Sequence, residues 1–264
     1  MRRHSSIVLV SLVLVLLRPA FGQQTSPPPS AVALLQSSLA ALAGGQSISD
    51  VTLSGSARRI AGSDDDFGTA TLRALATGAA RSDLNLSSGV RKEVCDLTAS
   101  PPSGAWSGPD GSPHAAAYHN LLAEPAWFFP AIAIGRRLSN SSYTATYVGH
   151  ETHNGQAVEH VSVSQTATSP NPPGAPTFEH LTQLDFFLDS TTLLPTAITF
   201  NIHPDNNSLL DLPVEIRFGD YRSASGLQVP YHIQKLLNNS LILDLQVQKF
   251  TLNSGIPAST FDSL

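Results

Sequence analysis

The segment HETHNGQAVEH, His150 to His160, gathers three imidazoles and two carboxylates, the side chains from which zinc sites are built. Its spacing points elsewhere. A metalloprotease pair sets its histidines four residues apart on one helix, whereas His150 and His153 are three apart. Asn154-Gly155 is the dipeptide of a two-residue hairpin turn. That turn pairs His153 with Gln156, His150 with Glu159 and Gly149 with His160, so His150 and His160 are predicted on opposite faces. The run SDDD, Ser63 to Asp66, has the charge for calcium but not the wrapping loop that supplies six or more oxygens; it reads as a solvated hairpin tip. Cys95 is the sole cysteine and has no histidine near it in sequence, so it reads as an inert, buried or half-buried thiol. There is no Gly-x-Ser-x-Gly elbow and no phosphate-binding glycine loop. The residues therefore predict no catalytic set, no metal site and no cofactor.

Asp220, Tyr221, Arg222 and His232 lie in VEIRFGDYRSASGLQVPYHIQ, Val214 to Gln234, and all four are types that enzymes use. Parity assigns them to a sheet instead. Val214, Ile216 and Phe218 point one way, and Leu227, Val229, Tyr231 and Ile233 share a face beyond the SASG turn. Such alternation marks strands with one buried and one solvated side, which places Arg222 and His232 on the solvent side as cross-strand partners. The same pattern runs through Leu184, Phe186 and Leu188, through Ile198, Phe200 and Ile202, and from Leu241 to Val247. Before Phe250 the parity slips, as a β-bulge would make it.

The elements that carry these residues follow from the same reading. MRRH, the apolar run Ile7 to Leu17 and the Ala20-Phe21-Gly22 site form a secretory signal peptide over residues 1–22. Losing Arg2, Arg3 and Arg18 with it leaves 12 of the 15 Lys and Arg against 20 Asp and Glu, a net charge of −8. An acidic chain without a basic stripe is a poor nucleic-acid binder, and no second run is long enough to span a bilayer. One cysteine means no internal disulfide, so stability must come from a core. QQTSPPPS, residues 23–30, reads as an extended tether, and residues 31–264 as a single domain. Its first element is a helix from Ala31 to Ala43, capped by Ser30 and stopped by Gly44-Gly45.

About eleven antiparallel strands are expected, with one between Phe178 and Leu188, and none in the Pro- and Gly-rich stretch TASPPSGAWSGPDGSPH. Residues 114–138 read as helical with breaks at Pro125 and Pro130, and TATSPNPPGAPT as a long loop. A sheet of that size with one apolar face must curl, and something apolar must fill its concave side. Two fillers are available: the first helix and AWFFPAIAI, Ala126 to Ile134. The second reads either as permanent core or as a lid that moves as a unit. The predicted class is thus α+β: a strongly curved, incomplete barrel with helices on its concave side.

Three segments of the C-terminal half resemble the LolA/LolB-like superfamily of periplasmic lipoprotein carriers. They are LDFFLDSTTLLPTAITFNI, VEIRFGDYRSASGLQVPYHIQ and LILDLQVQKFTLNSGIPASTFD, in the family's order over roughly residues 180–262. The resemblance implies the curved sheet, a hydrophobic cavity for acyl chains, a periplasmic or secreted location and no catalysis. Arg58 and Arg59 are the nearest candidates for the family's gating arginine. The expected ligand-binding residues are Phe186, Leu188, Ile198, Phe200, Phe218, Tyr231 and Leu243, with Trp127 and Phe129 above them. The expected partner is a lipid or an acylated protein, with an envelope protein partner as a further option. The alternative is an interaction or envelope-stress sensor module whose interior is permanently filled; a void of several hundred Å³ would separate the two.

Overall fold

The computed structural model describes residues 29–166 and 175–264. The expected signal peptide, most of the Pro-rich tether and the centre of the 166–177 loop lie outside the described residues.

Helix α1 runs Ala31–Ala43. Ser30 caps it by accepting from the Ala33 N–H at 3.1 Å, and Gly44 ends it in the left-handed region at φ 56°. A Cβ at residue 44 would stand 2.5 Å from the Gly226 carbonyl oxygen, so glycine is required there for space as well as for dihedral angle. Leu34, Leu35 and Leu42 form its buried stripe.

Four strands follow as two hairpins: β1 (Asp50–Ala61), β2 (Asp64–Leu75), β3 (Ala80–Leu86) and β4 (Gly89–Asp96). Next come β5 (Ser103–Ser107), β6 (Pro113–Ala115) and the short helices α2 (Tyr118–Leu121) and α3 (Pro130–Ser139). Strands β7 (Tyr143–His153) and β8 (Gln156–Gln165), helix α4 (Ala175–Thr182), and strands β9 (Leu184–Asp189) and β10 (Pro195–Ile202) lead into β11 (Leu212–Ala224), β12 (Leu227–Leu237) and β13 (Ser240–Leu252). The sheet order is β6-β5-β4-β3-β2-β1-β13-β12-β11-β10-β9-β8-β7. Two antiparallel meanders are therefore joined along β1 and β13, and the sheet stays open between β6 and β7. The fold is α+β, with helices on the concave side of one curved sheet.

The sheet has 13 strands rather than about eleven. The additions are β5 and β6, inside the stretch read as irregular. Its prolines fall where a ladder tolerates them: Pro101 and Pro102 precede β5, and Pro113 opens the edge strand β6. The strand expected from Phe178 starts at Leu184, because Ala175–Thr182 is helix. The Thr182 hydroxyl faces the Phe178 and Glu179 carbonyl oxygens and accepts the Gln165 N–H at 2.9 Å, fastening α4 to β8. Pro130 does not break a helix but begins one, at the first turn of α3 where its missing N–H costs nothing.

Register agrees with the parity reading. Asn154 (φ 50°) and Gly155 (φ 80°) make the tight turn, and His153 faces Gln156, His150 faces Glu159 and Gly149 faces His160. The slip in β13 is a bulge: Ser54 pairs with Lys249 and Gly55 with Val247, passing over Gln248. Asp220 takes a positive φ of 51° within β11, while the ladder keeps its register through the Gly219–His232 and Tyr221–Pro230 pairs. Just past this local twist Tyr221 packs against the core and donates its hydroxyl to the Pro195 carbonyl at 2.8 Å. Arg222 stays outside, paired with Asp220 and lying 4.5 Å over the Tyr231 ring.

Candidate functional site: the plugged concave face

The concave face carries one continuous core that includes Val161, Phe186, Ile198, Ile216, Ile233 and Leu245, and α1 and the segment 126–134 pack into it. The nine expected ligand-binding residues all lie on this side. Trp127, Phe129, Phe186, Leu188, Ile198, Phe200, Phe218 and Leu243 are buried, and Tyr231 is half-buried against them. Trp127 and Phe200 line a cavity; the other seven sit in the core shared with the helices.

Residues 124–139 form the plug. Phe128 and Phe129 are each 1 % exposed. Trp127 meets Phe128 edge-on at 5.5 Å, and Phe129 stacks on Phe250 at 5.9 Å. The plug is tied by Glu124, which is fully buried between Arg136 at 3.3 Å and the guanidinium of Arg137, and which accepts the Ala126 N–H at 2.9 Å. Burial is the largest single influence on this carboxyl and would push it up. The two arginines and the amide together outweigh it and hold Glu124 below the usual carboxylate range. Arg137 in turn lies 5.4 Å over Tyr143 and 5.8 Å over Phe186, so the latch reaches the sheet.

Three cavities border this plug. The first, about 180 Å³, lies between α2, the plug and the sheet, and its walls include Val94, Leu121, Trp127, Phe200 and Ile202. Lys235 stands on its rim, the ammonium 4.7 Å over the Trp127 ring. The second, about 270 Å³, separates α1 from α3 along Leu39, Ala43, Ile48 and Ile132. The third, about 130 Å³, runs between α1, Arg137, Tyr143 and Val163. Each is smaller than the roughly 300 Å³ at which small-molecule sites begin. The plug occupies much of the concave side and leaves these gaps around itself. The physical reason is the density of aromatic side chains in AWFFP, which occupy the volume that the curl of the sheet opens.

Other singled-out residues find structural places. Cys95 is half-buried on the wall of the first cavity, where burial, with Glu93 and Glu124 adding to it, pushes its thiol up to about 12; a thiol so protonated is a weak nucleophile. Arg58 points out to Asp65 at 2.7 Å, and Arg59 lies 3.8 Å from Asp66. The arginine against the core aromatics is Arg137, which sequence reasoning passed over because it lies in a helix after the plug, not in the first strand. In HETHNGQAVEH, His153 and His160 stack on Phe187 at 3.7 and 4.4 Å on the outer face of the sheet. One group that sequence reasoning missed is His180, His203 and Asp211, whose ligand atoms all lie within 4.8 Å of one another. No short motif could have announced it, because its residues are spread over α4 and both ends of the β10–β11 loop.

No protein-family model and no curated protein sequence matches the chain. Solved structures do match its fold. A domain named, provisionally, as an outer membrane lipoprotein-sorting protein from Vibrio parahaemolyticus aligns with TM-score 0.52 at 10% identity, over 88% of this chain and 96% of its own. A LolA superfamily protein from Nitrosomonas europaea gives 0.51 at 10% identity, over 89% and 99%. A DUF1329 family protein from Desulfovibrio piger gives 0.51 at 8% identity, over 89% and 98%. The chain shares the fold of these structures.

Proposed function

We propose that this protein is an exported, non-enzymatic binder of lipid or of a lipidated ligand, which takes an acyl chain between the sheet and its plug. The observation that carries the reading is the set of three cavities bordering residues 124–139: the apolar filler of the concave face is held at one ion-pair latch and is incompletely packed on several sides. Magnitudes make the exchange feasible. Lifting Phe128, Phe129, Ile132 and Ile134 from full burial costs about 6–12 kcal/mol, at roughly 1.5–3 kcal/mol each. Burying a dozen methylenes returns about 10 kcal/mol, at roughly 0.8 kcal/mol each. The two nearly cancel, so the closed form is stable alone and a chain can still displace the plug. The nine lining residues become the acyl-contacting wall, and the Lys235 ammonium is placed to meet an anionic head at the rim.

The likeness to a lipoprotein-sorting domain supports a lipid or an acylated protein as cargo. Export follows from the leader over residues 1–22, with the mature chain starting at Gln23, the tether over 23–30 and one domain over 31–264. Residence is then periplasmic or extracellular; no helix among the described residues is long and apolar enough to cross a membrane. One observation favours the alternative of a filled interaction or sensor module: among the described residues, the cavities bordering the plug hold only about 130–270 Å³ each. Titrating a Trp106→Phe variant with a fluorescent fatty acid separates the two. Trp127 is then the only tryptophan, and saturable energy transfer from it to the bound probe is the expected result. A flat titration contradicts acyl binding and leaves the filled module.

A further inference from the structure

We propose that His180, His203 and Asp211 form a binding site for a divalent transition metal of the zinc class, at the corner where α4 meets the β10–β11 loop. The Nε2 atoms of His180 and His203 lie 2.8 and 3.0 Å from the same oxygen, Oδ1 of Asp211. Three ligand atoms from two chain segments, α4 and the β10–β11 loop, thus converge on one point, all within 4.8 Å of one another. Around a tetrahedral zinc with bonds of about 2.0–2.1 Å, ligand atoms stand about 3.3 Å apart. Shifts of a few tenths of an ångström at the carboxylate, and a closing of the two imidazoles, would admit the ion.

His203 is the fixed member of the set. Its side chain is 1 % exposed, and its backbone is locked on both sides by Asn120, which accepts the His203 N–H and donates to its carbonyl, each at 2.8 Å. A buried imidazole fixed in place with its one satisfied nitrogen aimed at a carboxylate is a pre-organised ligand. With the ion bound, both imidazoles carry their proton on Nδ1 and offer the Nε2 lone pair.

The donor set selects the metal class. Two imidazoles and a carboxylate suit zinc, cobalt, nickel or copper, whereas magnesium and calcium require oxygen ligands. His180 and Asp211 are 43% and 42% exposed at the side chain, which leaves a solvent-facing position for water. The site also touches the mouth of the first cavity, because Asn120 and Asp205 line that cavity. A bound ion would therefore brace the loop 203–211 against α4 beside the opening. This inference stands independently of the acyl-binding reading.

The test is calorimetric titration of the full chain with Zn²⁺ after chelator treatment, repeated with His180→Ala, Asp211→Asn and, as a control on another histidine–carboxylate pair, His150→Ala. One saturable equivalent with a raised melting temperature is expected for the parent and for His150→Ala, and a loss of affinity of about tenfold or more for the other two. His180 and Asp211 are chosen because they are exposed, so circular dichroism should show both variants folded. Co²⁺ loading of the parent gives a second reading: visible absorption bands of low-coordinate cobalt are expected. Absent saturable uptake, uptake unchanged in both variants, or Co²⁺ with only its aqueous spectrum would each overturn the site.

Discussion

His160 is pressed on the outer face of the sheet by the Phe187 ring and flanked by two carboxylates, with Nε2 3.0 Å from Asp185 and Nδ1 3.0 Å from Glu151. Burial, the largest single influence, disfavours its charge; the two acids outweigh it and raise its pKa above 6.5. A raised pKa in the folded state means stabilisation that is full below about 6.5 and lost as pH rises through the folded value. The melting temperature of the parent should therefore exceed that of His160→Gln most near about pH 5, and the gap should narrow toward about pH 9. A gap that stays constant or widens with pH would show that the charged pair contributes nothing. At this scale the sequence was legible where a residue's role follows from parity: the Asn154-Gly155 turn fixes the HETHNGQAVEH register, and with it the separation of His150 from His160. It was not legible for Tyr221, because its inward turn follows a positive φ at Asp220 that no alternation pattern announces.

The plug is the element on which the account turns, and Glu124 is its anchor. Removing one partner of a buried ion pair leaves the other charged and unpaired, which costs about 3–5 kcal/mol. Glu124→Ala should lower the unfolding free energy by that amount, read as a lower denaturation midpoint with an unchanged denaturant slope. It should also shift Trp127 emission to the red as the plug loosens. A variant as stable as the parent, with unshifted emission, would mean that the Glu124–Arg136–Arg137 network does not hold the plug. The segment itself could be read from sequence, since AWFFPAIAI is too apolar for the surface of an acidic chain. Its anchoring could not: Glu124 and Arg137 meet only because Pro130 starts a helix that turns the chain back on itself. Helix α4 was missed for a similar reason, as its fastening to β8 through Thr182 spans a loop and leaves no periodic trace.

For the whole molecule, the architecture follows from a simple chain of causes. Period-two strands joined by short turns produce two meanders; one long-range pairing, β1 with β13, joins them. Twist then curls the 13 strands, and the curl creates an apolar hollow that must be filled. This much was readable, apart from β5 and the edge strand β6, whose prolines disguised them. What fills the hollow in the cell was not, because a plug and an acyl chain satisfy the same apolar wall. The central claim is that the wall exchanges one for the other. Native mass spectrometry of the protein purified from its own host tests it most directly. The account predicts a mature chain beginning at Gln23 that carries a lipid-sized mass increment, released by organic solvent. A population at the bare polypeptide mass alone, unchanged after incubation with fatty acid or phospholipid, would contradict it.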